Sequence, residues 1–373
     1  MTTDDANVRD GLDLAVTSYE TVDPTSEGRD VLNLAWTRDE RECLAVDLES
    51  VVSSELRAEL DSDLEYVHSY FVRDPYGETL LRPAVAAFFG NNAWQGAVTC
   101  GAGVVSLVHA LARLTNGKAA HIIGDTYPDF PYWVEQSGGV CAAQPSSASV
   151  DDLGAESRRA GAAVLFLERP GLFSDAFAEL TRLEALCREA AANDALVIVD
   201  ESNANYCPPQ RSAVVLAGTL PNLIVARGFS KAYGLGGLRL AYCVSAPALT
   251  ERVRSAVPPL LASSLSLRLG KRILELGDVA APLRSRIRER KREMIERFER
   301  ANIEQLVPST EFLPYVFVRN RPDYLRSHLE DRGIVGKPHP MWSERSGTIE
   351  HLYRLSVPLN ATRMQWLNAA LNT

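Results

Sequence analysis

The chain has 373 residues, 46% hydrophobic and 23% charged, enough apolar material to fill one large domain and a smaller one. A formal net charge of −9 and a sequence pI near 5.3 exclude the clustered basic surface that a nucleic acid or an anionic membrane needs. The six cysteines, Cys43, Cys100, Cys141, Cys187, Cys207 and Cys243, form no CxxC pair, so reduced thiols are expected rather than a metal site or a disulfide framework.

The opening MTTDDANVRDGLD is polar and acidic, unlike a signal peptide, and no apolar run reaches membrane-span length; a cytoplasmic protein is expected. Residues 1–50 are read as a segment packing on a small C-terminal domain. Within a large domain placed at 51–245, short apolar runs alternate with helix-period segments from about residue 78 to 244, the pattern of βα units around a mainly parallel sheet. The strands are expected at 97–100, 120–123, 163–167, 196–199, 223–226 and 240–244. Phe177, Leu180, Leu183, Leu186 and Ala190 recur at helical spacing after a Ser174-Asp175 cap and predict a crossover helix. The stretch 144–159 reads as a surface connection. From 246 to 373 the texture changes to long helices, one over 284–300, and short strands near 315–318 and 353–357, which predicts a smaller α+β domain. The alternating charges of the 284–300 helix describe a solvated face.

Chemistry concentrates in RGFSKAYGLGGLRLAY, residues 227–242, between two predicted strands. Lys231 leaves a strand end beside Ser230, with a glycine-rich turn and Arg239 following. A lysine there can condense with an aldehyde while Ser230 and Arg239 hold a phosphate of the same molecule. The apolar run 196–199 ends in Asp200, a carboxylate placed to pair with a protonated pyridine nitrogen. Gly101, Ala102 and Gly103 join a strand to a helix whose free N–H groups and macrodipole favour an anion. The same glycines, as Gly101-x-Gly103-x-x-Ser106 with Asp125 beyond the next strand, also allow a dinucleotide-binding reading. That alternative lacks the third glycine and leaves Lys231, Arg239 and Asp200 without a role.

Ser230, Lys231, Gly234, Leu235, Gly237, Arg239 and Tyr242 resemble the Ser-Lys-x-x-Gly-Leu-x-Gly-x-Arg-x-Gly-Tyr motif of the class I/II aminotransferases, with Ala241 in the last glycine place. The likeness is to the histidinol-phosphate aminotransferase branch. VLNLAWTRDE and Asp74-Pro75-x-Gly77 with Leu81-Arg82 also resemble that family, so the likeness runs through nearly the whole chain. It implies an α/β protein of fold type I: a large domain on a mainly parallel seven-stranded sheet, a smaller α+β C-terminal domain, and pyridoxal 5′-phosphate (PLP) as cofactor. Lys231 is then the Schiff-base lysine and base at the substrate Cα, Asp200 the ring-nitrogen partner and Tyr127, in GDTYPDF, the stacking ring. Gly101, Ala102, Gly103, Ser230 and Arg239 are assigned to the phosphate. Arg354, in LYRLSVP, is assigned to the substrate carboxylate, which its donor fork matches. A homodimer acting on an amino acid or amine is implied as well.

Several positions depart from the family pattern. Glu168-Arg169-Pro170-Gly171 stands where Asn-Pro-x-Gly is usual, so Arg169 occupies the place of an asparagine that contacts the cofactor's phenolic oxygen. Asn203 replaces a tyrosine, Gly228 a hydroxyl residue, and Val72, with Tyr70 nearby, stands where a phosphate-binding tyrosine of the neighbouring subunit is usual. Arg169 is expected to hold the phenolic oxygen or a substrate carboxylate, or else to turn to solvent, and Asn203 to supply an amide to the cofactor. Because those contacts set the fate of the Cα carbanion, a lyase, cyclase or C–C bond-forming outcome stands beside transamination.

Overall fold

A computed structural model of the chain describes residues 31–62, 68, 72–90, 95–319 and 322–372. Its main sheet has seven strands: β2 (Ala97–Gly101), β3 (Ala119–Ile123), β4 (Val140–Gln144), β5 (Val164–Glu168), β6 (Leu196–Asp200), β7 (Leu223–Gly228) and β8 (Ala241–Ser245). They lie in the order β2-β8-β7-β6-β5-β3-β4, parallel except for β8, which runs antiparallel to both neighbours. This is the α/β architecture expected from the alternating pattern. The apolar strands are buried on both faces. Val164, Phe166, Leu196 and Ile198 pack into one hydrophobic cluster, Leu165, Leu167, Val197 and Val199 into another on the opposite side.

A second sheet, antiparallel, has the order β12 (Lys337–Trp342), β13 (Ile349–Ser356), β10 (Tyr315–Arg319) and β9 (Leu306–Val307). The twenty-residue helix Ala281–Arg300 buries Leu283, Ile287, Met294 and Phe298 in a cluster shared with this sheet. Near the N-terminus β1 (Leu32–Asn33) pairs in parallel with β11 (Ile334–Val335). An isolated bridge joins the two sheets: the Thr126 and Trp342 amides each donate to the other's carbonyl, at 3.0 and 2.7 Å.

Three local expectations change. The stretch 144–159 is not a plain connection: β4 ends at Gln144, and Ser149 caps a helix over Val150–Ala160 by accepting from the Asp152 amide at 3.1 Å. The crossover helix runs from Leu180 to Ala191 behind Glu179, whereas Ser174 turns the preceding loop by accepting from the Ala176 amide. The dinucleotide reading loses its geometry, because four strands lie between β2 and β3, five spacings or about 24 Å at ~4.8 Å each. The Asp125 carboxylate instead accepts from the Glu344 amide.

Candidate active site

The site lies at the C-terminal ends of β3, β5, β6 and β7, on the face followed by Phe166 and Ile198. Strand alternation sends Glu168 and Asp200 to that same face, and they are partners in register. Asp200 is oriented by the Ser202 amide, which donates at 2.7 Å; Glu168 accepts from the Tyr127 amide at 2.7 Å. Burial raises both carboxyls above their usual range, and the Asp200 charge raises Glu168 further. Asp129 joins them, pushed up to about 7 by burial and then by Asp200.

Lys231 lies half-buried in the loop after β7, its carbonyl accepting from Asn205 Nδ2 at 3.3 Å. Its charge is felt by three side chains from distant parts of the chain, Glu40, Lys337 and His339. Glu40 is buried, bonded to the Tyr206 hydroxyl, and raised by burial. On β12, Lys337 is pushed down to about 6 by burial and then by Arg354 and Lys231, while His339 falls well below its usual value for the same reasons. The His339 ring lies 5.7 Å from that of Tyr127, and among the described residues neither of its nitrogens has a hydrogen-bond partner.

Arg239 lies on the turn before the helix Val104–Ala112, donating to the Ala102 carbonyl at 2.9 Å and the Gly236 carbonyl at 3.2 Å. A Cβ on Gly103 would stand 2.5 Å from Arg239 Nη2, and Gly103 has φ +91°, so only glycine admits the guanidinium there. Among the described residues no side chain caps this helix, so its first amides and Arg239 together favour an anion, and Ser230 Oγ lies 3.8 Å from the Cβ position of Gly236, whose carbonyl Arg239 bonds. Gly228 is explained by packing too, since a Cβ there would lie 2.8 Å from Val104 Cγ2.

Arg354 is buried on β13 opposite Lys337, donates to the Ala35 carbonyl at 3.0 Å, and stacks 4.3 Å above the Tyr315 ring centroid. Its Nε has no hydrogen-bond partner among the described residues.

Arg169 departs from both expectations. It follows Leu165 and Leu167 to the opposite face of the sheet and is neither at the Asp200 side nor in solvent, being 5% exposed. Its donors go to the Phe177, Ala178 and Arg211 carbonyls at 2.8, 2.9 and 2.9 Å and to Glu201 at 3.3 Å. Asn203 stays near Asp200 with a buried Oδ1 that has no hydrogen-bond partner among the described residues. Tyr70 lies outside the described residues, and Val72 is exposed. Sequence reasoning missed Glu168, Asp129, Lys337, His339 and Glu40 as site residues. Only Glu168 carried a local signal, as a carboxylate ending an apolar strand like Asp200.

A family model, aminotransferase class I and II, matches residues 47–345. The chain belongs to that family. Members are PLP enzymes, and the described residues fit the cofactor: a lysine, a buried carboxylate for the ring nitrogen, a helix start uncapped among them with an arginine for the phosphate, and a buried Asn203 amide with no partner among them for its oxygen. Among curated relatives, histidinol-phosphate aminotransferase 1 of Cupriavidus pinatubonensis is 31% identical over 154 residues, 40% of each chain. The Symbiobacterium thermophilum histidinol-phosphate aminotransferase is 27% identical over 216 residues, 57% of this chain and 59% of the relative. The chain thus spans about half the length of the curated relatives it matches.

The solved histidinol-phosphate aminotransferase from Clostridium acetobutylicum has a TM-score of 0.68 at 13% identity, covering 86% of this chain and 96% of that one. L-threonine-O-3-phosphate decarboxylase from Porphyromonas gingivalis also gives 0.68, at 17% identity over 92% and 98%. These two share the fold of this chain. Among its described residues no helix is long and apolar enough to cross a membrane.

Proposed function

We propose that this chain is a PLP-dependent aminotransferase of amino acids, built as an N-terminal segment (1–50), a cofactor-binding domain (51–245) and a small domain (246–373), and working as a cytoplasmic homodimer. The observation that carries the reading is that the Lys231 loop joins two features: the Asp200 carboxylate at the next strand end and Arg239 on the turn at Gly103. Bound there, PLP supplies an aldehyde that captures amines and a ring that takes up the electron pair left at the substrate Cα.

The chain's own residues do the rest. Gly101, Ala102, Gly103, Ser230 and Arg239 hold the phosphate, and the Tyr127 ring covers one face of the cofactor. Asp200 keeps a proton on the ring nitrogen, since a cation beside it favours its charged form. Asn203 offers its side-chain amide N–H to the cofactor's phenolic oxygen. Lys231 Nζ moves the Cα proton, and Arg354 clamps the substrate carboxylate so that this proton faces the lysine. The small domain brings Lys337 and His339, both buried, to the site. Arg169 is withdrawn from the cofactor set.

Borohydride treatment of the holoprotein should fix the cofactor to the peptide carrying Lys231 and bleach the visible band. In a separate experiment, untreated holoprotein given an amino-acid panel should release keto acid and form pyridoxamine phosphate in equal amounts, and Lys231→Ala should slow turnover by roughly 10²–10⁴-fold. Turnover that releases no keto acid would replace transamination by elimination or cyclisation. A label on any other lysine would remove Lys231 from its role.

A further inference from the structure

The departure at Arg169 leads to a network behind the site. Arg169 Nη1 donates to Glu201 Oε1 at 3.3 Å, and Arg227 Nη1 donates to the other oxygen, Oε2, at 2.6 Å. Arg227 Nη2 donates to Asn205 Oδ1 at 2.7 Å, and Asn205 Nδ2 donates to the carbonyls of Gly228 at 2.8 Å and Lys231 at 3.3 Å. All four side chains are buried, Arg169 5%, Glu201 1%, Asn205 7% and Arg227 2% exposed. The Ser212 hydroxyl and the Ala213 amide also bond Glu201, so its carboxylate is fully engaged.

The direction of the Asn205 amide follows from chemistry. Arginine only donates and a carbonyl only accepts, so one orientation alone satisfies all three bonds. What the amide holds is unusual as well. Ala232, next after Lys231, is buried with φ +65°, a conformation that residues with a Cβ rarely adopt. Such a backbone persists only where its surroundings hold it. A buried Arg–Glu–Arg set costs desolvation and adds little net stability, but its bonds are directional.

We infer that Asn205 is a positioning residue for Lys231, aligned from the reverse face of the sheet by the Arg169–Glu201–Arg227 set. Arg169 then serves the site without touching it. The inference rests on Lys231 being the cofactor lysine.

The test is Asn205→Asp, which keeps the size and the acceptor facing Arg227 but donates nothing to the two carbonyls. In the holoprotein the pH midpoint of the visible absorbance band should move by roughly 0.5 unit or more. Turnover should fall on the order of tenfold to a hundredfold with KM within about twofold, because the reacting amine is displaced while substrate binding is spared. Urea unfolding should stay near wild type, the new carboxylate being paired with Arg227. Asn205→Ala checks the same midpoint without adding a charge, and Arg169→Asn should move it in the same direction. If both Asn205 variants keep the wild-type midpoint and turnover, or change only urea stability, the inference is overturned. Borohydride mapping of the wild type separates the two readings. A label away from Lys231 defeats the proposed function, whereas a label on Lys231 with unshifted Asn205 variants defeats this inference alone.

Discussion

Lys337 shows how far burial, with two cations nearby, reshapes a side chain. With 2% of its surface exposed and Arg354 opposite, its amine falls to about 6. Between that value and its ordinary one the unfolded chain carries a proton that the folded chain lacks, so this residue makes stability rise with pH across the window. One such proton contributes a slope of at most about 1.4 kcal/mol per pH unit. Lys337→Met should remove that contribution. Urea unfolding at pH 6.5 and pH 9 should show the variant gaining on wild type at the lower pH and losing the gain at the higher one; parallel curves would mean that Lys337 stays charged when folded. Asp129, raised to about 7, acts with the opposite sign, its contribution fading as pH climbs from about 4 to 7.

At the scale of elements, the turn from β2 into the helix Val104–Ala112 is where backbone and ligand chemistry meet. Gly103→Ala places a methyl 2.5 Å from Arg239 Nη2 at φ +91°, so the guanidinium must leave the turn. The dissociation constant for PLP, from fluorescence titration of apoprotein, should rise about tenfold or more, equivalent to ~1.4 kcal/mol. Gly117→Ala is the control: its φ is also positive at +76°, but nothing lies within 4 Å, so it should affect stability and not affinity. An unchanged constant in Gly103→Ala would detach Arg239 from the phosphate. This turn was legible in the sequence, as were the buried strands, because an apolar run ended by a carboxylate, lysine or glycine gives a local signal. β4 and the helix Val150–Ala160 were not. The first is a partly exposed edge strand of Val140, Cys141, two alanines and Gln144; the second buries only Leu153, Gly154 and Ser157. Arg169 was misread for a related reason: its position in the motif was plain, but which face its side chain takes is decided by the pleat and by Glu201.

Contacts across the whole molecule were the least legible part, since nothing local links residues hundreds of positions apart. Arg354 bonds the Ala35 carbonyl, 319 positions away, and the Ser356 amide donates to the Leu34 carbonyl. Asp39 fastens the same N-terminal segment: its carboxylate accepts from the amides of Leu359 and Asn360 at 2.7 and 2.8 Å and faces Arg363 at 3.6 Å, 2% exposed. Arg363 in turn donates to the Asn33 carbonyl at 2.5 Å. Asp39→Ala therefore strips a buried carboxylate from two amides and an arginine, and about 3 kcal/mol of stability should go with it, measurable by urea unfolding. The site should register the change in one particular way. With the 33–39 segment loosened, Arg354 loses the carbonyl that aims it, so KM for amino acids should rise severalfold while the proton-moving residues on the main sheet keep kcat within about twofold. Amines without an α-carboxylate should be turned over at unchanged KM. An equal rise for both substrate types would show that the segment shapes the whole site and not the Arg354 clamp.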